Sequence, residues 1–364
     1  MVYRSDLIEI LQYEPQTGQV HDVPLLCSPP WINKYYVMDL APQRSFIEWA
    51  VRHERTVFAI SYRNPDASMA DTTMDDYLIG GPRAAMDVVQ EITGCEKIDF
   101  VGLCLGGALT MMTATYLDEM GDDRLNSITL LNTMVDFTDP GILGRFTDEA
   151  TVVKLEKKMR SRGYLEGGEM AGTFDMLRPN DLIFNYVVAN WMMGKKPPAF
   201  DILAWNSDST RMPAAMHSFY LRELYVNNKF AKGALTLAGQ QLDLKDVDQD
   251  LYVVSAINDH IVPWTSSYAT LKHVRSDARF VLSSGGHIAG IVNPPSPKAW
   301  YEIADTHPLD PHEWRTGAVR QSGSWWEDWA RWGAERSGEL VDPPPMGSET
   351  HPVLGDGPGE YVHT

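Results

Sequence analysis

Residues 97–117 read KIDFVGLCLGGALTMMTATYL and join a short apolar run to a helical segment across one Gly-rich turn. KIDFV is the length of a strand, whereas ALTMMTATYL carries apolar residues at helical spacing. The turn between them, GLCLGG (102–107), has the G-x-nucleophile-x-G pattern of a sharp strand-to-helix turn that presents Cys104. Glycine is expected there because a Cβ atom would collide with neighbouring backbone. A buried cysteine in a Gly-rich packing turn is the alternative interpretation.

Similar apolar runs, bounded by Pro, Gly, Asn or charged residues, recur on both sides of this turn. They are VPLLCSP (23–29), TVFAISY (56–62), SITLLNT (127–133), DLYVVSAI (250–257) and ARFVLSS (278–284). Helically spaced segments separate several of these runs. Strands that alternate with helices predict βαβ units, and therefore an α/β fold with a mostly parallel sheet and helices on both faces.

The stretch 140–248 differs, because it is rich in Met, Trp and Asn and has no obvious strand run. Its helical segments include LIFNYVVANWMMG (182–194) and HSFYLRELYVNN (217–228). An insertion of this length predicts a mainly helical cap over the carboxyl ends of the strands, and a separate helical domain is the alternative. We therefore divide the chain into core 1–139, cap 140–248, core 249–336 and a Pro- and Gly-rich, extended C-terminal tail 337–364.

A tryptophan-rich segment, SWWEDWARW (324–332), precedes the tail. Its spacing places Trp325, Trp329 and Trp332 on one helix face, and Ser324 and Glu327 have the spacing of a capping box. We expect this face to dock on the protein's own core.

Composition narrows the possible functions. The net charge of −18 disfavours binding to nucleic acid or to anionic membrane surfaces. No apolar run approaches the roughly 20 residues that span a bilayer, and the start of the chain lacks the pattern of a secretory leader. Three cysteines are too few for a disulfide framework. We expect a cytoplasmic protein without a metal site.

A base and an acid for Cys104 follow later strand-like runs. Asp259 comes after the run at 250–257, and His287 comes after the run at 278–284. The order nucleophile, acid, histidine is that of the α/β-hydrolase fold, in which all three residues lie at carboxyl ends of strands. Taken singly, Asp259 could cap the helix that starts near Pro263, and His287 could be an ordinary loop residue. Together they predict a Cys-His-Asp triad.

Donors for an oxyanion are predicted at two places. The N–H of Leu105 begins the helix after the nucleophile, where backbone donors point outward. The second donor is expected in the loop after the run at 23–29, in which prolines 29 and 30 have no N–H. Trp31 or Ile32 is therefore the candidate.

Several longer motifs resemble those of the polyhydroxyalkanoate synthases, most closely the one-component type that acts on short-chain substrates. The motifs are GLCLGGAL, PPWINKYYVMDL (29–40), SYRNPDAS (61–68), MVDFTDPG (134–141), LRPNDLIFNYVVANWMMGKKPPAFDILAWNSDSTRMP (177–213), NDHIVPW (258–264) and GGHIAGIVNPP (285–295). The resemblance runs from about residue 5 to residue 355. The family's catalytic Cys, Asp and His fall on Cys104, Asp259 and His287.

The resemblance implies an acyltransferase that polymerises (R)-3-hydroxyacyl-coenzyme A thioesters into polyester, with coenzyme A (CoA) as a product and no separate cofactor. It also implies a homodimer at the surface of polyester granules. One-component synthases carry a further helical domain ahead of the segment that begins here at Met1, so we expect the chain to correspond to the catalytic domain alone. The alternatives are a cysteine hydrolase of the dienelactone type and a catalytically impaired granule-surface protein.

Overall fold

The computed structural model describes residues 1–177, 191–194 and 201–364. The strands are β1 Tyr3–Arg4, β2 Ile8–Gln12, β3 Val20–His21, β4 Leu25–Ser28, β5 Val57–Tyr62, β6 Ile98–Leu103, β7 Leu125–Leu131, β8 Tyr164–Leu165, β9 Met212–Pro213, β10 Leu235–Leu237, β11 Gln240–Leu242, β12 Asp250–Ala256, β13 Ala278–Ser283, β14 Trp300–Ile303, β15 Val319–Ser322 and β16 Leu340–Val341. The α-helices are α1 Phe46–Arg52, α2 Met74–Leu78, α3 Ala84–Thr93, α4 Leu105–Glu119, α5 Glu149–Arg162, α6 Gly167–Leu177, α7 Asp201–Ser207, α8 Ala214–Phe219, α9 Trp264–Tyr268, α10 Pro311–Gly317 and α11 Trp325–Ala334. Shorter 3₁₀ or π-helical segments are Tyr35–Met38, Ala67–Met69, Ile79–Arg83, Gly141–Phe146, Tyr220–Val226, Leu244–Asp246, Ala269–Lys272 and Tyr361–His363.

A ten-stranded sheet runs through the protein in the order β1-β2-β5-β4-β6-β7-β12-β13-β14-β15. The six central strands, β5 to β13 in this order, are parallel, and they are the six runs that the sequence predicts as strands. The outer strands on both edges pair antiparallel. The predicted α/β fold with a mostly parallel sheet is therefore confirmed.

The register of the central strands brings their carboxyl ends to one edge of the sheet. Leu131 at the end of β7 pairs with Leu103 at the end of β6 and with Val254 in β12. Ser283 at the end of β13 pairs with Ala256 at the end of β12. In parallel sheets, ligand-binding and catalytic sites usually lie among the loops beyond these ends. The loops after β4, β6, β12 and β13 therefore converge.

The segment between β7 and β12 contains helices α5 to α8, and α8 continues into the π-helical segment Tyr220–Val226. The stretch 140–248 also contains four short strands, although its sequence has no obvious strand run. Strand β8 pairs with β9, and β10 pairs with β11. These strands have two or three residues each, which is too short to produce a recognisable alternation of apolar residues. Of the predicted helix at 182–194, residues 182–190 lie outside the described residues.

Helix α11 docks on the core as its spacing predicts. Trp325, Trp329 and Trp332 are buried, and the ring centroid of Trp329 lies 4.6 Å from that of Phe46. The predicted capping box at Ser324 is present, with its side chain and that of the third helical residue bonding reciprocally. The helix therefore closes the protein's own core.

The C-terminal tail lies along the edge of the molecule that carries the first strands. Strand β16 pairs with β3. The buried carboxylate of Glu9 accepts hydrogen bonds from the N–H groups of Glu360 and Tyr361. Across the described ranges, no helix combines the length and the apolar character needed to cross a membrane.

Candidate active site

Cys104 lies in the sharp turn between β6 and α4, with φ of 53° and ψ of −116°. Residues other than glycine rarely adopt a positive φ, so the backbone is strained at this cysteine. The flanking glycines have the role that the sequence predicts. A Cβ atom on Gly102 would meet the backbone of Gly107, and one on Gly106 would meet the backbone at residues 28–29, in the loop after β4. The geometry is that of a nucleophile elbow.

Asp259 and His287 meet in the loops after β12 and β13. The Nδ1 atom of His287 lies 2.6 Å from Oδ2 of Asp259, whose side chain is fully buried. The other carboxylate oxygen, Oδ1, accepts hydrogen bonds from the N–H groups of Ile261 at 2.8 Å and Val262 at 2.9 Å. One oxygen thus caps the turn before helix α9, whose own N-cap is Pro263, while the other faces the histidine. Asp259 does not cap the helix itself, so the alternative interpretation is wrong.

Cys104 is also near His287, because its charge is among the causes that raise the pKa of this histidine. Burial alone would lower the pKa of His287, but the negative charges of Asp259 and Cys104 and the hydrogen bond to Asp259 raise this pKa well above its ordinary value. The structure therefore brings the three predicted residues together, with the histidine between the thiol and the carboxylate. This is the arrangement in which a histidine can remove the thiol proton. The catalytic roles of the three residues stay predictions.

Asn132, directly after β7, fixes the loop that carries His287. Its backbone φ is 45°, and its Nδ2 donates a hydrogen bond to the carbonyl oxygen of His287. The sequence offers no sign of this role, because an Asn after a strand usually indicates only a turn.

The two predicted oxyanion positions differ in their surroundings. Leu105 is the first residue of α4, and no group in the described part of the chain accepts a hydrogen bond from its N–H. Ile32 lines a pocket of about 210 Å³ together with Leu105. Trp31 is only 1% exposed, and its ring packs edge-on against those of Tyr77 and Tyr220. Ile32 is therefore the second donor candidate that lies beside Leu105.

The opposite wall of this pocket comes from the segment between β7 and β12. Two tyrosines in it, the buried Tyr220 and the half-buried Tyr225, have ring centroids 5.3 Å apart. Burial raises the pKa of both hydroxyls, and the charge of Cys104 raises both pKa values further. The two tyrosines therefore lie close to the thiol. Sequence reasoning missed them, because their approach to Cys104 depends on how this segment folds back onto the core.

Comparison with known protein families shows the class of protein to which this chain belongs. The family described as "alpha/beta hydrolase fold" matches residues 30–294, and the chain belongs to this family. Residues 1–50 match the family described as "Poly-beta-hydroxybutyrate polymerase (PhaC) N-terminus". A solved structure, the monoacylglycerol lipase of Paleococcus ferrophilus, is 13% identical with a TM-score of 0.47, covering 91% of this chain and 98% of the lipase.

More specific relatives are found among characterised proteins. Over the whole chain, the sequence is 43% identical to the poly(3-hydroxyalkanoate) polymerase of Methylorubrum extorquens and 40% identical to the poly(3-hydroxyalkanoate) polymerase subunit PhaC of Cupriavidus necator. The chain spans 60% of the length of the first relative and 63% of the second. The resemblance drawn from the motifs is thereby confirmed.

Proposed function

We propose that this chain is an acyltransferase that builds polyester from (R)-3-hydroxyacyl-CoA thioesters through a covalent intermediate on Cys104. The observation that carries the proposal is the 2.6 Å contact between His287 and Asp259 beyond β12 and β13, at the same sheet edge as the sharp turn that presents Cys104. The charge of Cys104 helps to raise the pKa of His287, which supports their proximity. The similarity to polymerases over the whole chain supports the choice of substrate and product.

In the acylation step, His287 takes the proton of the Cys104 thiol while Asp259 holds the imidazole in orientation. The sulfur attacks the thioester carbonyl carbon, and the oxyanion accepts hydrogen bonds from the N–H groups of Leu105 and Ile32. The carbon–sulfur bond to CoA then breaks, and His287 returns the proton to the departing thiolate. One thioester replaces another, so the acyl group stays activated.

In the elongation step, a second acyl unit provides the nucleophile. Its 3-hydroxyl loses a proton to His287 and attacks the carbonyl carbon of the Cys104 thioester. The carbon–sulfur bond breaks, an ester bond forms, and the thiol regains the proton. A serine at this position would form an ester instead, which is a poorer acyl donor than a thioester.

A polymerase of this kind must keep water from the thioester, or it becomes a hydrolase. Cys104 is only 9% exposed. Its surroundings include the aromatic pair Tyr220 and Tyr225 from the segment between β7 and β12, which supports a role for this segment as a cap. The pocket of about 210 Å³ is smaller than the ~300–1,000 Å³ typical of sites for larger ligands. The cap must therefore move to admit CoA.

The test is to incubate the chain with 3-hydroxybutyryl-CoA and to follow both thiol release and the acyl product. We expect CoA release with polyester formation in the wild type, no release in Cys104→Ala and little release in Cys104→Ser. Release that yields only free 3-hydroxybutyrate would support the hydrolase alternative. Absence of release in the wild type, or undiminished release in Cys104→Ala, would contradict the proposal.

We also propose that the protein acts as a homodimer in the cytoplasm, at the surface of polyester granules, without a separate cofactor. Light scattering on the purified chain should give the mass of two chains, and a monomer mass would contradict the dimer. In polymer-producing cells, the protein should sediment with the granules, and its recovery in the soluble fraction alone would contradict this location.

A further inference from the structure

His217, in helix α8, is a buried polar side chain, and one of its ring nitrogens is unpaired among the residues that the structure describes. The residue is 1% exposed, and its Nδ1 atom has no hydrogen-bond partner among the described residues. Buried polar groups are nearly always paired, and leaving one unpaired costs stability. An imidazole in this state is therefore a candidate to bind a polar group from outside the described part of the chain.

The imidazole lines the pocket of about 210 Å³ that Leu105 and Ile32 share. Tyr220, one helical turn after His217, lines the same pocket, and its pKa is raised by burial first, then by Tyr225 and by the charge of Cys104. The ring centroids of His217 and Tyr220 are 5.9 Å apart. The ring of His217 therefore lies beside that of Tyr220, and the pKa of Tyr220 is affected by Cys104.

Other polar side chains of this pocket already have partners. The carboxylate of Glu169 forms ion pairs with Lys158 at 2.7 Å and with Arg162 at 3.4 Å. The hydroxyl of Thr151 donates to Asp148, and that of Thr173 donates to the carbonyl oxygen of Glu169. Much of the remaining lining is apolar, for example Leu143, Leu165, Met170 and Leu221. Besides the hydroxyls of Tyr220 and Tyr225, His217 is therefore a lining side chain with an unpaired polar atom among the described residues.

We propose that His217 determines specificity by forming a hydrogen bond with the 3-hydroxyl of the acyl group that Cys104 carries. The inference rests on the function proposed above and adds a recognition residue to it. A neutral imidazole has one donor and one acceptor nitrogen, and a hydroxyl can pair with either. An apolar cavity of about 150 Å³ suffices for benzene, so 210 Å³ accommodates a short acyl group.

The neutral state of the imidazole is consistent with this role. Burial lowers the pKa of His217 to about 4, so the ring carries no charge near neutral pH. A charged ring would favour a carboxylate over a hydroxyl.

The experiment compares single-turnover CoA release from 3-hydroxybutyryl-CoA and from butyryl-CoA, which lacks the hydroxyl. The wild type should react about 10- to 100-fold faster with the hydroxylated substrate, because the deoxy analogue leaves a buried polar group unpaired. His217→Phe should lose this preference by slowing the hydroxylated substrate while leaving butyryl-CoA nearly unchanged. His217→Asn, which retains a donor and an acceptor, should keep part of the preference. The matched control is His363→Phe, at an exposed histidine in the tail, and it should behave as the wild type.

Equal slowing of both substrates by His217→Phe would indicate a purely structural role and would overturn the inference, as would an unchanged preference. If the phenylalanine variant does not fold, the rate ratio of His217→Asn decides, and a ratio equal to that of the wild type overturns the inference. A wild type that uses both substrates equally leaves the proposed function intact and refutes the role of His217. A wild type that releases no CoA from either substrate refutes both.

Discussion

The Nδ1 atom of His287 lies 2.6 Å from Oδ2 of Asp259, and Oδ1 of the same carboxylate is held by two backbone N–H groups. The carboxylate is therefore fixed on one side by the turn at residues 261–262 and faces the imidazole on the other. Such a fixed acceptor selects the tautomer in which the opposite nitrogen can take a proton from Cys104.

Replacing Asp259 by Asn should reduce the single-turnover rate of CoA release by about 10³- to 10⁴-fold, the scale of loss when a triad carboxylate becomes an amide. The amide can fix the wrong tautomer of His287 while its shape preserves the packing. Rates should be measured with 3-hydroxybutyryl-CoA, with the unfolding curve as a control for the fold. A loss of less than about 10-fold would contradict the assigned role of Asp259.

The same substitution should lower the pKa of His287. Burial disfavours the imidazolium, and the charges of Asp259 and Cys104 reverse that effect in the native protein. Without the charge of Asp259, less opposes the lowering effect of burial, so the pKa of His287 falls. A titration of the histidine ring protons by NMR, with His287 assigned by substitution, measures the change. An unchanged pKa would mean that Asp259 does not stabilise the imidazolium.

Gly106→Ala should damage both stability and catalysis. A Cβ atom at this position would lie 2.5 Å from the carbonyl oxygen of Pro29 and closer still to that of Ser28, and both are backbone atoms that cannot rotate away. Overpacking of this kind costs about 1–3 kcal/mol of unfolding free energy. Displacement of the loop that carries Ile32 should also slow CoA release by about 10²- to 10³-fold.

The control for this variant is Gly18→Ala, because a Cβ at Gly18 has no neighbour within 4 Å. Urea unfolding and single-turnover rates on both variants test the prediction. If Gly106→Ala keeps the stability and the rate of the wild type, the prediction is wrong. The turn at Cys104 would then have space for a Cβ atom at position 106.

Stability should depend on pH through His217. Its pKa in the folded state, about 4, is below the value of about 6.5 expected in the unfolded chain. As the pH falls below about 6.5, the unfolded state takes up the proton first, so stability is lost progressively until the folded state is protonated near pH 4. Between about pH 7.5 and about pH 5, this group should cost about 2 kcal/mol.

The measurement is the free energy of urea unfolding at both pH values, for the wild type and for His217→Asn. The wild type should lose about 2 kcal/mol more than the variant over this interval, because the variant lacks the titrating group. Equal losses in both proteins would mean that His217 is not buried in its neutral form.

The sequence predicts the centre of the fold and the meeting of Asp259 with His287, because both depend on local patterns. Apolar runs define the six parallel strands, and the glycines define the turn at Cys104. Strand β15 was missed because VRQS is exposed along its whole length and has no apolar pattern. Strand β2 was missed because Glu9 and Gln12 interrupt its apolar residues, and both are buried by contacts with the distant tail.

The position of the residues that line the pocket could not be predicted either, because it depends on contacts between distant parts of the chain. His217, Tyr220 and Tyr225 follow helical spacing, which does not distinguish core packing from a pocket wall. Their position in one pocket with Leu105 and Ile32 arises only when the segment between β7 and β12 packs against the core. Asn132 likewise acquires its role from a loop 155 residues away in the chain.

The central claim is that Cys104 carries the acyl group as a thioester, and peptide mass spectrometry after an acid quench tests it most directly. The chain is mixed with 3-hydroxybutyryl-CoA, quenched during turnover and digested. The account predicts that the peptide containing Cys104 gains one or more 3-hydroxybutyryl units, that neutral hydroxylamine removes them, and that Cys104→Ala shows no such adduct. CoA release without any adduct on this peptide, or an adduct on another residue that persists in Cys104→Ala, would contradict it.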